Sequence, residues 1–304
     1  MRSAIFRDSE RFLSSPCFDR PLLQRAFRQP WATNRCYRRH RSLYAPSSSL
    51  TGTAPPHIAP QATMGLEGVT ELDDDLAGVI GDDGLMTVAG FGSLLSERSS
   101  RYTFPDLLNF RVAKVPDFRR VFAHAAPIFF QRGIARVETG ETSSLGVEPC
   151  KGAELWVACF EVPATKEAIE AFIEREHEFR FVKVFPEDLA ENGFSTGAKS
   201  RPAVLCCRNT DEEYKAKRCP PEEFNRRYGQ YGIHKVFRDD IFPCRVYLRH
   251  CTLAAKNLHP LVFDNFMDRS YLGDRKTTVR EYLAKNPSIM EELPPPELEE
   301  RYCG

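Results

Sequence analysis

The sequence predicts an α+β fold rather than a doubly wound parallel sheet. Three observations carry this. The middle of the chain is a series of short stretches with strand patterning. One stretch of helical period is set among them. The last third has helix-forming composition. Many short strands, then one inserted helix, then helices at the end, is the order of an α+β domain, with no internal repeat.

Taken in chain order, residues 1–65 do not read as part of that domain. They hold ten Arg, no Lys and three acids, a net of +7, which leaves −7 for the remainder of a chain with zero formal charge. No acid occurs from Arg20 through Gly65, and Ser, Thr, Ala and Pro fill the spaces between the arginines. An Arg-rich, Ser-rich, acid-poor N-terminus is the signature of an organelle transit peptide. The Ser/Pro/Thr-rich second half points to the chloroplast, with the mitochondrion as the alternative. An internal start at Met64 would leave a cytosolic form. Residues 66–83 are acidic and read as a linker.

The folded part is expected over 84–285. Residues 85–91 (LMTVAGF) form an apolar run that ends in a Gly-Ser turn, as a buried strand would. Strands are expected at 110–115 and 120–124, either side of a break at Pro116-Asp117, and at 133–137, 145–147 and 154–162. Residues 165–176 (TKEAIEAFIERE) then change to helical period. Strand patterning returns at 179–185 and 203–207. Helices are expected at 221–231, 243–257 and 277–284, the last capped by Thr277 or Thr278. The segment 286–304 is acidic and Pro-rich and reads as a loose tail.

The totals exclude several function classes. An apolar fraction of 42% and a charged fraction of 28% are those of an ordinary globular chain. The acidic body argues against nucleic-acid binding, which needs a basic face to displace counterions. There is no run of 18 apolar residues, so no membrane partner is expected. The ten Cys include no CxxC pair, and no metal site is expected.

Two local features carry chemistry. In the helix at 165–176, Ile169, Phe172 and Ile173 stand at i, i+3 and i+4 and form an apolar stripe. Glu176 follows at i+7 on that stripe, whereas Glu170, Glu174 and Glu178 succeed one another on a face that reads as solvated. A carboxylate aimed inward at a helix C-terminus has its pKa raised by desolvation and by the helix dipole, which suits proton transfer near neutral pH. The other reading of Glu176 is a structural acid paired with Arg175, Arg180 or Lys183. The second feature is the turn Val88-Ala89-Gly90-Phe91-Gly92-Ser93-Leu94-Leu95. Glycines there let successive backbone N–H groups face a carboxylate or a developing oxyanion. The other reading of this feature, and the plainer one when it is taken alone, is a tight turn with no ligand. It is neither GxGxxG nor a P-loop.

Together these residues resemble the γ-glutamyl cyclotransferase-like superfamily, in its plant and algal AIG2-like branch. The resemblance rests on Phe91-Gly92-Ser93-Leu94-Leu95 for the turn and on Phe172-Ile173-Glu174-Arg175-Glu176 for the acid. Leu145-Gly146-Val147 lies between them, and the segment 264–283 resembles that of plant and algal relatives. Phe91 stands where many members have Tyr, Leu94 where one branch has Asn, and His177-Glu178-Phe179 where many have Gly and then Tyr.

The resemblance implies a small antiparallel or mixed β-barrel with peripheral helices and a cavity at its mouth. It implies that Glu176 is the catalytic acid/base and that Val88, Ala89, Gly90, Phe91, Gly92, Ser93 and Leu94 hold a small γ-glutamyl substrate. The implied reaction releases 5-oxoproline by attack of the substrate's own α-amine and needs no cofactor. The alternative within the resemblance is an inactive member that binds a ligand or a protein. A cysteine hydrolase would use Cys150, Cys159 or Cys251 with one of His124, His177, His234, His250 and His259, but no nucleophile signature frames any of them.

Overall fold

The computed structural model describes residues 69–189 and 201–304, together with the backbone of 195–199. The leader expected over 1–65, with Met64, lies outside the described residues.

The elements run in chain order as β1 (Thr70–Glu71), β2 (Leu85–Gly90), α1 (Glu97–Thr103), β3 (Leu108–Ala125), α2 (Pro127–Gln131), β4 (Glu141–Pro163), α3 (Lys166–Arg175), β5 (Arg180–Val184), β6 (Glu187–Leu189), β7 (Ser195–Lys199), β8 (Ala203–Cys207), α4 (Asp211–Lys217), α5 (Pro221–Arg227), β9 (Phe242–Pro243), α6 (Arg245–Leu258), α7 (Pro260–Arg269), β10 (Ser270–Leu272), α8 (Val279–Lys285) and α9 (Glu299–Tyr302). The strands form one mixed sheet in the order β1-β5-β8-β2-β4-β3-β6-β7, with β10 added beside β3 and β9 beside β4. The β2–β8, β3–β10 and β4–β9 ladders are parallel and the others antiparallel. This curled half-barrel flanked by helices is the α+β architecture that the sequence predicts.

The frame of the sheet is the antiparallel pair β3–β4, of 18 and 23 residues. The sequence breaks β3 at Pro116-Asp117, but the strand continues through. Its ladder shifts register there, and Asp117 takes up the left-handed conformation with φ 63°. The Asp117 carboxylate accepts the Gly152 N–H at 2.7 Å, which ties the bulge to β4. A bulge of this kind bends a long strand without ending it. The expected strand at 133–137 is absent. Pro127 starts α2 and Gly133, at φ 65°, follows its end, so the chain reaches β4 by a turn.

β2 is central. It is antiparallel to β4 and parallel to β8, which explains its unbroken apolar run. α3 is capped by Thr165, whose hydroxyl accepts the Ala168 N–H. It buries Phe172 against Phe104 and Phe181. α7 follows from His259-Pro260, with Pro at its first position and the His259 ring accepting the Leu261 N–H. Thr278 and Glu281 form a capping box at the start of α8.

Two segments read as loose are packed. In the stretch expected as a linker, β1 pairs with β5, and Leu72, Leu76 and Val79 are buried in the core. In the expected tail, Ile289, Leu298 and Tyr302 are buried, and the Gly304 N–H donates to His250 Nδ1 at 2.9 Å. In both cases a few apolar residues, among acids in the first segment and among acids and prolines in the second, supply the anchor, while composition averages over them.

Candidate active site

β2 delivers the chain to the turn that the sequence singles out. There the backbone packs on itself: a Cβ added at Gly90 would lie 2.5 Å from Leu94 Cβ, and one at Gly92 would lie 2.7 Å from the Tyr247 hydroxyl. Glycine is needed at both positions for space. Beneath the turn, Arg120 on β3 is wholly buried. Its Nε donates to the Phe91 carbonyl at 2.8 Å, one Nη donates to Asn265 Oδ1 at 2.8 Å, and the other donates to the Trp156 carbonyl. Burial pushes the Arg120 pKa down to about 9, still charged at neutral pH. Across a trans peptide the N–H points opposite to the C=O. With the Phe91 carbonyl drawn to Arg120, the Gly92 N–H therefore points away from it.

A cavity of about 70 Å³ opens beside this turn. Ala89, Phe91, Gly92, Ser93 and Leu94 line it, as do Glu176 and Glu178. Val88 and Gly90 do not. The Glu176 side chain is 13% exposed. Helix α3 ends at Arg175, and Glu176 is its C-cap residue. The Arg175 guanidinium lies between acid and turn: Nε donates to Glu176 Oε1 at 3.0 Å, and Nη2 donates to Ser93 Oγ at 3.0 Å. Thr103 Oγ1 accepts from the same side chain.

The sequence places Glu178 on the solvated face of the helix. The structure buries it in the wall of the cavity. The helical phase stops at Glu176, and the short turn to β5 swings residue 178 inward. Burial, with the Glu176 charge beside it, pushes the Glu178 carboxyl up to about 7. Glu170 and Glu174 are exposed, as expected, and Glu174 pairs with Arg227.

The remaining walls add polar groups. His124, on β3, is buried with no hydrogen-bond partner for its Nδ1. Burial and the Arg208 charge push its pKa down to about 3, so the imidazole is neutral. Ser144 and Tyr247, with Arg301 and Tyr302 of α9, also line the cavity. The sequence offers His124 only as a partner for a cysteine. Burial pushes Cys159 and Cys251 up to about 12, which suppresses the thiolate that such chemistry needs. Among the described residues, no group of three or more His, Cys, Asp and Glu is placed to hold a metal ion. Among the same residues, no helix is long and apolar enough to cross a membrane.

No family model matches this chain, and no curated protein does. Solved structures similar to it include one described as gamma-glutamyl cyclotransferase, with 14% identity over 68% of this chain and 99% of that one, at a TM-score of 0.38. Another is an uncharacterized protein from Homo sapiens, with 13% identity over 69% of this chain and 99% of that one, at a TM-score of 0.40. A protein from Arabidopsis thaliana solved in solution shows 16% identity over 50% of this chain and 89% of its own, at a TM-score of 0.30. These are similarities in the course of the chain and carry nothing about activity.

Proposed function

We propose that the chain is a γ-glutamyl cyclotransferase-like enzyme that releases 5-oxoproline from a γ-glutamyl amine or peptide, with Glu176 as the acid/base. The observation that carries this reading is one cavity in which a glycine turn with a fixed peptide plane meets a largely buried carboxylate.

In the proposed reaction, Glu176 takes one proton from the α-ammonium of the substrate. The freed amine attacks the γ-carbonyl, the C–N bond of the ring forms, and the carbonyl electron pair moves to oxygen. Backbone N–H groups of the turn, Gly92 foremost, are the donors available to that oxyanion. Collapse re-forms the carbonyl and breaks the bond to the leaving nitrogen, which takes the proton held by Glu176. The ring nitrogen sheds a second proton, and the departing amine takes one up from water to become an ammonium, so the count closes. Because the nucleophile is tethered, holding the chain folded supplies much of the rate, with effective molarities on the order of 10⁵–10⁸ M for well-oriented cases. Arg175 lines the cavity beside the turn and is the group suited to the substrate's α-carboxylate. The unpartnered Nδ1 of His124 is a further polar contact for a bound glutamyl group.

A second reading, an inactive binding module, is favoured by one observation. The cavity is small, below the roughly 300–1,000 Å³ of most ligand pockets, and Arg175 already occupies Glu176 and Ser93. Glu176→Gln separates the two. The enzyme reading expects 5-oxoproline release to fall by about 10²-fold or more, with the melting temperature little changed. Glu174→Gln, on the exposed face, is the control and keeps wild-type rates. No release by the wild-type chain with any γ-glutamyl substrate would favour the binding module.

A further inference from the structure

The pocket carboxyl that the sequence hides is not isolated. The Tyr228 side chain is its neighbour in the interior. Tyr228 and Tyr214 hydroxyls are 3.1 Å apart, and Tyr214 in turn is 2.7 Å from His177 Nδ1. Both phenols are wholly buried, whereas His177 is only half-buried. Tyr228, Tyr214 and His177, on three segments of chain, therefore form one hydrogen-bonded file that starts beside Glu178. It leads from the cavity wall, through the interior, to the outer face of the domain.

We propose that Glu178 is a second acid/base group of this site and that Tyr228, Tyr214 and His177 form a relay that carries its proton to solvent. This rests on the cyclotransferase reading, in which the attacking nitrogen must lose two protons and Glu176 accounts for one. Glu178 takes the second: the ring N–H bond breaks and the Glu178 O–H bond forms. That proton then passes to the Tyr228 oxygen as the Tyr228 proton moves to Tyr214. The Tyr214 proton moves to His177 Nδ1 as the Nε2 proton leaves to water, where the departing amine recovers one. Phenol and imidazole both donate and accept, as each link requires.

The electrostatics suit these roles. Glu178, at about 7, populates both forms near neutral pH. The charged groups facing it are Glu176, which holds it up, and Arg227, which draws it down. The Tyr228 and Tyr214 phenols stay protonated, because burial and the Glu178 charge hold both above their usual range. Burial, with Arg227 and Arg218 beside it and Glu174 and Glu223 opposing them, pushes His177 down to about 4. It is therefore neutral, with a lone pair for the incoming proton.

The test uses the full chain and two readouts. First, infrared absorption of the protonated carboxyl is followed after a pH jump across 7. The wild type shows a band that titrates near that pH and is missing in Glu178→Gln. Tyr214→Phe and Tyr228→Phe keep the band but slow its appearance at least 10-fold. His177→Phe, at the half-exposed end, does the same and guards against a buried substitution that misfolds. Second, in the 5-oxoproline assay, the limb of the kcat profile near pH 7 disappears in Glu178→Gln. The two Tyr→Phe variants lower kcat about 10-fold or more with KM within twofold, a split that loss of packing alone would not give. Unchanged exchange kinetics in all three relay variants would overturn the proposal. Slowed exchange in a chain that releases no 5-oxoproline would uphold the relay and sink the reaction assigned to it.

Discussion

The main core and the smaller cluster beside it are built from different material. The main core packs aliphatic and aromatic side chains from the sheet, α3 and α6, and the buried cation beside it, Arg120, is held by two carbonyls and an amide oxygen. The smaller cluster joins Tyr214, Tyr228, Cys219, Val236 and Phe237 across α4, α5 and the chain after them. It contains two buried phenols, and each can turn its hydroxyl to donate or accept. Where the first cluster fixes polar groups to serve as anchors, the second leaves them in a file with both ends open, one at Glu178 and one at His177. Packing gives the domain its stability in the one place. In the other it holds hydroxyls in line at little structural expense.

Substitutions can break or sharpen that contrast. The largest effect is expected in the main core: Phe172→Ala removes a ring packed 5.2 Å from Phe181 and 6.1 Å from Phe104 and should cost about 3–5 kcal/mol in urea unfolding. Next is Glu178. Its folded pKa of about 7 lies above the 4.5 of an unperturbed Glu, so the folded state binds the proton more tightly. The carboxyl is therefore neutral to stability below about pH 4.5, destabilises the fold increasingly as pH rises towards 7, and adds no further penalty above that. At about 1.4 kcal/mol per unit of pKa, Glu178→Gln should gain up to about 3 kcal/mol at pH 8 and nothing at pH 4. A pH series of unfolding curves checks the sign. The smallest effect is expected for Tyr228→Phe, about 1 kcal/mol for a lost hydrogen bond. If that change cost as much as Phe172→Ala, the smaller cluster would be part of the foundation and the contrast would fail.

How far the sequence could be read follows from where periodicity holds. The apolar run at 85–90 and the stripe Ile169/Phe172/Ile173 gave β2 and α3, because both lie inside regular elements. The stripe also led to Glu176, one residue past the end of its helix, where one step of extrapolation still holds. Two steps later it fails. Glu178 was placed on the solvated face by continuing a helical count beyond the turn at Glu176, after which the chain heads into β5. Tyr214 and Tyr228 carried no signal, because a phenol on a short amphipathic helix reads as ordinary packing until its hydroxyl is located. Arg120 was hidden for a similar reason: strand alternation marks it as inward, but only the fold shows that Phe91 and Trp156 offer it carbonyls. Leu72 and Leu76 are hidden in acidic surroundings, and Ile289 and Tyr302 in acidic, Pro-rich ones, where single anchors count for more than averages.

The anchoring of the turn has a consequence for conditions that shift protons. Arg120 is held by the Phe91 and Trp156 carbonyls and the Asn265 amide oxygen, with the Phe266 ring 5.5 Å from its guanidinium carbon. None of these partners gains or loses a proton anywhere between strong acid and the Arg120 pKa near 9. A carboxylate in the same place would slacken its grip on acidification. Glu178, in the wall of the same cavity, is of that second kind and changes its charge around neutral pH. The cavity therefore has one wall that is indifferent to pH and one that responds to it. A shift across neutral pH changes the charge on Glu178 while leaving the Phe91–Gly92 peptide fixed, so the site can change its charge without losing its shape.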